Sequence, residues 1–465
     1  MFIKKYYSDD LGIRFSTLSC NSSQNLLRQI GRKTINMFNK VKGTQDFLDL
    51  TLYNFIIDSV RKHLVLYHFT EIATPIIEPT DLFKRGLGLE TDVVTKEMFT
   101  INTTHGHRAA EKQQEEKEQE SICLRPEATA AIVRAFVENG VQQAPWKVFL
   151  HGPMFRYERP QKGRFRQFHQ VNIEIIGSNS TAQDAQFICM LDRYFHERLQ
   201  LNNFAILINF IGCFEDRVAY KVKLLEFLNK EIAQDICDLC KTRKETNILR
   251  IFDCKNPVCQ KIYQEAPFIA ENMCEPCNGE WQQLKDQLDF LSVAYVYKPT
   301  LVRGLDYYNK TVFEFVSDNL GAQNAFCGGG RYDQLVAQLG SKQDQPSIGA
   351  AFGIERLILL LEPMRDKLAI PQLPALHVII PVAKEQQSLA LLVADEMYAA
   401  DLCTEVLLEG GSMKSMMRQA NKMGAGYCII LGEEEQKTRT ATVKNMTNAT
   451  EERIAQTALM SYLKK

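Results

Sequence analysis

The segment Trp146 to Gly177 (WKVFLHGPMFRYERPQKGRFRQFHQVNIEIIG) reads as strand, basic loop, strand, and its alternation sorts side chains by chemistry. On the outgoing strand Arg156 and Glu158 share one face. On the returning strand Phe168, Gln170, Asn172 and Glu174 share one face, while Val171, Ile173 and Ile175 share the apolar opposite one. An arginine, two carboxylates and two amides on one surface suit a polar ligand. A solvated sheet face would show the same alternation. The loop between the strands adds Arg159, Lys162 and Arg164, a cationic patch suited to the phosphates of a nucleotide or of RNA. A second element, Ser347 to Leu361 (SIGAAFGIERLILLL), is an extended run that turns at Gly353 into an apolar helix. Arg356 falls in its first turn, where backbone N–H groups and the helix dipole favour anions. The plainer alternative is an amphipathic helix whose arginine meets solvent. No GxxxxGK[ST], GxGxxG or HExxH pattern occurs, so any bound phosphates must be held by such arginines.

Cysteine spacing offers a second chemistry. Cys237-x2-Cys240 and Cys274-x2-Cys277 have the spacing of thiolate zinc sites, and Cys254-x4-Cys259 lies between them. Six sulfurs exceed the four that one zinc takes, so the ligand set is open, and buried free thiols remain the alternative. Thirteen cysteines without a convincing secretory signal indicate a reducing compartment, the cytoplasm. His105 and His107 could ligate a metal, but in HGHRAAEKQQEEKEQE (His105 to Glu120) they read as solvated residues of a charged, exposed loop.

The elements that position these residues need several domains, since 465 residues exceed what one core usually supports. Apolar runs such as Leu357 to Leu361 are far shorter than the roughly 20 residues that span a bilayer, so no membrane association is expected. A net charge of -1 gives no global field for nucleic acid, so an RNA partner would need local basic patches. Residues 1–39 read as a disordered N-terminal extension; its basic, serine-rich character suggests a transit peptide, but Asp9 and Asp10 break the acid-poor pattern. Helical recurrence marks Tyr53 to Phe69, and from Thr70 to Phe155 the pattern is mostly β-rich. Residues 40–211 and 299–362 would form one β-rich domain, interrupted by a helical, cysteine-rich insertion at 212–298. Three prolines mark a linker over 363–374. Residues 375–465 then alternate strand and helix, predicting a small parallel-sheet domain. Within it Lys414, Arg418 and Lys422 share one helix face, either for RNA or simply solvated.

These residues carry a family resemblance. FRYE, GIERL and TPIIEPTDLFKRG (Thr74 to Gly86) resemble motifs 2, 3 and 1 of class II aminoacyl-tRNA synthetases. LVRGLDYYNKTVFEF (Leu301 to Phe315) and CGGGRYD (Cys327 to Asp333) resemble the two signature peptides of histidyl-tRNA synthetases, and LRPEATA (Leu124 to Ala130) matches the same family. The resemblance runs from about Lys40 to the C-terminus. It implies an α/β (α+β) fold: a class II antiparallel-sheet catalytic domain with a helical insertion and a C-terminal α/β anticodon-binding domain. It further implies a homodimer that uses ATP with Mg²⁺ to join L-histidine to tRNA(His) through a histidyl-adenylate.

By the same resemblance Arg156 binds the α-phosphate, Arg356 the γ-phosphate, Phe168 stacks on adenine and Glu158 sits near its amino group. Arg303 acts at the α-phosphate from the opposite side, where its planar fork can bridge carboxylate and phosphate. Glu127, with Thr129 and Gln170, holds the substrate ammonium; Glu174 and Tyr308, with Tyr332 nearby, recognise the imidazole; Ala128 and Tyr307 also belong to the histidine-binding set. Any zinc on Cys237, Cys240, Cys254, Cys259, Cys274 or Cys277 would be structural. The competing readings are a regulatory paralogue and a non-catalytic tRNA sensor. Regulatory paralogues lack the anticodon domain and have degenerate catalytic peptides, whereas this chain keeps that domain and intact peptides; intact Glu127, Arg156, Gln170, Arg303 and Arg356 argue against the sensor.

Overall fold

The computed structural model describes residues 38–101, 121–230, 234–321 and 324–464. The extension before residue 38, His105, His107 and the acidic stretch 111–120 lie outside the described residues. The chain divides into two compact units between Leu368 and Ala369.

The first unit is built on an eight-stranded sheet. Its order is Thr70–Glu71, Trp146–Phe155, Gln167–Ile176, Ser347–Gly353, Ala325–Arg331, Asn309–Val316, Ala205–Phe210 and Val296–Tyr297. The two short edge strands pair parallel and all other pairs are antiparallel. The predicted apolar face is real: Val171, Ile173 and Ile175 are at most 1% exposed. In register, Val171 faces Phe352, Phe352 faces Cys327 and Cys327 faces Phe315, so one apolar row crosses four strands. Phe195 packs edge-on against Phe315 and Phe352, with centroids 5.1 and 5.6 Å away. Each such buried side chain contributes roughly 1.5–3 kcal/mol, which fixes which sheet face is left for a ligand.

Local differences from the expectations have physical causes. The helix expected at Tyr53 to Phe69 runs over Thr51–Val65 and buries Leu52, Ile56, Ile57, Val60 and Leu64. It stops where His68 turns into the left-handed region (φ 65°). The stretch Thr70 to Phe155, expected to be mostly β, contains two α-helices, Thr80–Leu87 and Thr129–Glu138, and a π-helical turn, Val93–Glu97. In the second α-helix, Thr129 to Val133 are all buried, so no 3.6-residue period shows in the sequence. The outgoing strand ends at Phe155, so Arg156 and Glu158 sit in the loop beyond it rather than on a strand face. The insertion is helical as expected, with helices Phe214–Leu228, Asp238–Thr246, Pro257–Tyr263 and Glu275–Phe290.

The second unit has a five-stranded sheet ordered Thr404–Val406, Leu376–Pro381, Ala425–Leu431, Thr440–Asn445 and Glu451–Ala455. The first three strands are parallel, but the last two pair antiparallel, so the sheet is mixed rather than parallel. Polar residues such as Lys444 and Glu451 on these two strands conceal the alternation. Among the described residues, no helix is long and apolar enough to cross a membrane.

Candidate active site

The polar face of the large sheet forms the floor of a cavity of about 400 Å³. Across four strands, register aligns Asn172, Ala351, Gly328 and Glu314, and beside that row Glu174, Gly349 and Gly330. Large polar ends thus flank small central residues, leaving a trough. Two glycines are required by what lies over them. A Cβ on Gly328 would stand 2.5 Å from the Arg303 guanidinium, and one on Gly349 would overlap the Glu174 carboxylate. Gly349→Ala is therefore expected to cost roughly 1–3 kcal/mol of stability, read as a lowered Tm. Gly279→Ala, on a helix with nothing nearby, should not lower it.

Five arginines (156, 164, 250, 303 and 356) and six carboxylates (Asp92, Glu97, Glu127, Glu158, Glu314 and Glu355) line the cavity. Burial pushes the Arg156, Arg164 and Arg356 guanidiniums down from their usual pKa, marking positive charge that carboxylates do not fully offset. Arg303 differs: burial opposes its charge most strongly, but Glu314 alongside, together with Tyr308, Tyr307 and Cys327, shifts it upward. Arg156 lies 5.4 Å over the Phe168 ring and donates through Nε to the Pro126 carbonyl (2.9 Å). Arg356 donates from the first turn of helix Ile354–Leu361 to the carbonyls of Gly163 (3.1 Å) and Ala325. Glu158 pairs with Arg164.

Glu127 accepts backbone N–H groups from Thr129 (2.6 Å) and Ala130 (2.9 Å), so one carboxylate both caps helix Thr129–Glu138 and borders the cavity. Glu174 is fully buried, accepting from Thr129 Oγ1 (2.7 Å) and the Tyr332 hydroxyl (2.5 Å). Burial pushes its carboxyl up to about 8, against the opposing effect of those two hydroxyls. The Tyr307 and Tyr308 rings, 4.5 Å apart, stand at the cavity wall.

Ten of the expected site residues therefore line one cavity: Glu127, Thr129, Arg156, Glu158, Phe168, Gln170, Arg303, Tyr307, Tyr308 and Arg356. Ala128, Glu174 and Tyr332 are fully buried beside it, Glu174 being bonded to the lining residue Thr129. Among the described residues the Gln170 Oε1, Asn172 Oδ1 and Arg303 Nε atoms are buried without a hydrogen-bond partner, as expected where a polar ligand completes the set. Sequence reasoning missed Glu355, which accepts the His169 backbone N–H (2.9 Å) and pairs with its ring. It also missed Glu314 and Arg250. Glu314 alternates with buried phenylalanines in a segment already singled out, so a signal existed. Arg250 comes from the insertion and pairs with Asp92 at 3.0 Å, a long-range contact with no local signal. The Arg331 and Asp333 side chains of CGGGRYD form a buried network with Asp184 and Thr311 that anchors the segment.

The six cysteines separate. Cys237, Cys240, Cys254 and Cys259 bring their sulfurs within 4.8 Å of one another, and Cys237 and Cys254 lie 3.7 Å apart. Backbone N–H groups of Cys237 and Asn256 point at the sulfurs of Cys259 and Cys254. Cys274 and Cys277 belong elsewhere.

An antiparallel sheet whose polar face gathers arginines from a hairpin loop and from the first turn of a core helix, with no phosphate loop, defines a class II aminoacyl-tRNA synthetase. The histidyl-tRNA synthetase family profile matches residues 69–357, and that of the anticodon binding domain matches 377–465. The chain belongs to the histidyl-tRNA synthetase family. A histidine–tRNA ligase of Solidesulfovibrio magneticus is 41% identical, covering 91% of this chain and 97% of its own length. One from Nitratidesulfovibrio vulgaris is 42% identical, covering 91% and 98%. The crystal structure of apo S. aureus histidyl-tRNA synthetase superposes with a TM-score of 0.73 at 31% identity, covering 92% of this chain and all of that one.

Proposed function

We infer that this chain joins L-histidine to tRNA(His) at the expense of ATP, releasing AMP and pyrophosphate. The observation that carries the reading is the cavity itself, whose lining brings buried arginines together with Tyr307 and Tyr308, beside the buried Glu174 carboxyl that burial pushes up to about 8. In the first step the L-histidine carboxylate attacks the α-phosphate in line. Both reactants are anions, so the protein's task is positioning and preorganised positive charge. Arg156 holds the α-phosphate, Arg303 bridges it to the substrate carboxylate, and Arg356 takes the γ-phosphate. Phe168 stacks on adenine beside Glu158. Glu127, Thr129 and Gln170 bind the ammonium, while Tyr308 and Glu174, supported by Tyr307 and Tyr332, recognise the imidazole. In the second step the terminal tRNA hydroxyl attacks the adenylate carbonyl, with a phosphate oxygen of the adenylate as base.

Mg²⁺ enters with ATP. The described cavity residues build no three-ligand cage, in keeping with an ion held largely by phosphates. Exposed Lys414, Arg418 and Lys422 on helix Met413–Lys422 support contact with the anticodon arm. Exposed Ile76 and Ile77 within the motif 1 segment favour a homodimer, and the free thiols favour the cytoplasm. The compact Cys237, Cys240, Cys254 and Cys259 tetrad suits a structural Zn²⁺. It brackets Arg250, tying the insertion to the cavity wall. Histidine-dependent ATP–pyrophosphate exchange followed by charging of tRNA(His) tests the reading. Absence of exchange from folded protein would favour the sensor or regulatory alternatives.

A further inference from the structure

The insertion joins the sheet at a point that its helices do not by themselves explain. Cys213 is the N-cap of helix Phe214–Leu228 and Asp216 its third residue; Cys274 is the N-cap of helix Glu275–Phe290 and Cys277 its third residue. Two helices with nothing in common in sequence therefore present the same pair of positions to one point. The three sulfurs and the carboxylate lie within 4.8 Å of one another. Asp216 Oδ2 is 3.5 Å from Cys274 Sγ, about the 3.5 Å edge that a tetrahedron with Zn–S near 2.3 Å and Zn–O near 2.0 Å requires.

We propose that Cys213, Asp216, Cys274 and Cys277 form a second structural Zn²⁺ site, separate from the Cys237 tetrad. A capping box accounts for Cys213 and Asp216, whose carboxylate accepts the Cys213 backbone N–H at 3.2 Å. It does not account for two more thiols arriving from residues 274 and 277. Asp216 also accepts the Cys274 backbone N–H at 2.8 Å, the outer support that fixes metal ligands in place. Three sulfurs and one oxygen in a compact set select zinc over magnesium or calcium.

The site reaches the catalytic cavity through one residue. Arg217, next to Asp216, donates to the Tyr308 carbonyl at 2.8 Å. Gly212, next to Cys213, accepts the Lys310 backbone N–H at 2.9 Å. Zinc here clamps the helix N-terminus against the segment that carries Tyr307 and Tyr308. It is a positioning device, and only this coupling rests on the catalytic reading.

The test is metal analysis of the full-length chain purified without a metal-affinity tag. About two zinc ions per chain are expected, falling to about one in Asp216→Asn or Cys277→Ser, to about one in Cys240→Ser, and to near zero in the Cys240→Ser/Cys277→Ser double variant. If a variant fails to fold, Co²⁺ titration of zinc-stripped wild type reads the same quantity: thiolate-to-cobalt absorption should rise to about two equivalents. One zinc lost in Cys240→Ser but kept in Cys277→Ser overturns the second site alone. No zinc, or a disulfide between Cys274 and Cys277 found by thiol counting, overturns it too. Asp216→Asn should also raise the KM for L-histidine about fivefold, the scale of one lost positioning hydrogen bond, with the KM for ATP unchanged. Equal movement of both constants would remove the coupling through Arg217.

Discussion

Arg303→Ala is expected to lower the rate of histidine-dependent ATP–pyrophosphate exchange by roughly 10²–10³-fold, the scale seen when one preorganised donor to a developing charge is removed. The guanidinium lies over Gly328 and 5.5 Å from the centre of the Tyr308 ring, and Glu314 holds it charged inside the cavity. Its Nε has no partner among the described residues, so a donor is in place before the substrate arrives. Neither water nor a flexible lysine has to reorganise as charge builds on the α-phosphate. Because the interaction strengthens in the transition state, kcat should fall while the KM for ATP moves little. Arg303→Lys keeps the charge but loses the planar fork, and should recover only part of the rate. It also guards against the objection that Glu314 is left unpaired in the alanine variant. Near-wild-type exchange in Arg303→Ala would exclude Arg303 from the reaction.

Much of this site was legible because strand alternation is a strong constraint. Once Val171, Ile173 and Ile175 are committed to the core, Phe168, Gln170, Asn172 and Glu174 must face the other way. The turn at Gly353 likewise fixes where Arg356 begins its helix. What escaped depends on which distant strands become neighbours. The alignment of Asn172, Ala351, Gly328 and Glu314 exists only after four strands pair, and no window of sequence contains it. Helix Thr129–Glu138 escaped because its first turn is buried all round. The cysteine set escaped for a different reason: Cys213 and Asp216 complete the site of Cys274 and Cys277, and a carboxylate fifty-eight residues away carries no spacing signature. Depth was also unreadable, since alternation gives the side of a sheet but not whether Glu174 reaches the open cavity.

That depth makes the pH dependence of L-histidine binding the most discriminating measurement. With its carboxyl at about 8, Glu174 is mainly protonated at neutral pH in the free protein, while free imidazole is mainly neutral above its pKa of about 6.5. A carboxyl and an imidazole that meet share one proton between them. Between about pH 6.5 and about pH 8 the free partners already carry that single proton, so binding needs neither uptake nor release and affinity is flat. Above about 8 the free carboxyl is ionised, binding must take up a proton, and affinity falls about tenfold per pH unit. Below about 6.5 the free imidazole carries an extra proton that must leave, and affinity falls again. Glu174→Gln keeps the shape and the two hydroxyl partners but cannot titrate. It should lose the alkaline limb and weaken binding by roughly 10²-fold or more, because a site built to hydrogen-bond a ring nitrogen is then mismatched. The same variant has a stability signature of fixed sign. The raised carboxyl pKa means that wild-type stability declines from the unfolded value, about 4.3, up to about 8. Glu174→Gln removes that decline, so its Tm should approach or pass wild type as pH rises towards 8. An alkaline limb that persists in Glu174→Gln would assign the titration to another group and take imidazole recognition away from this carboxyl.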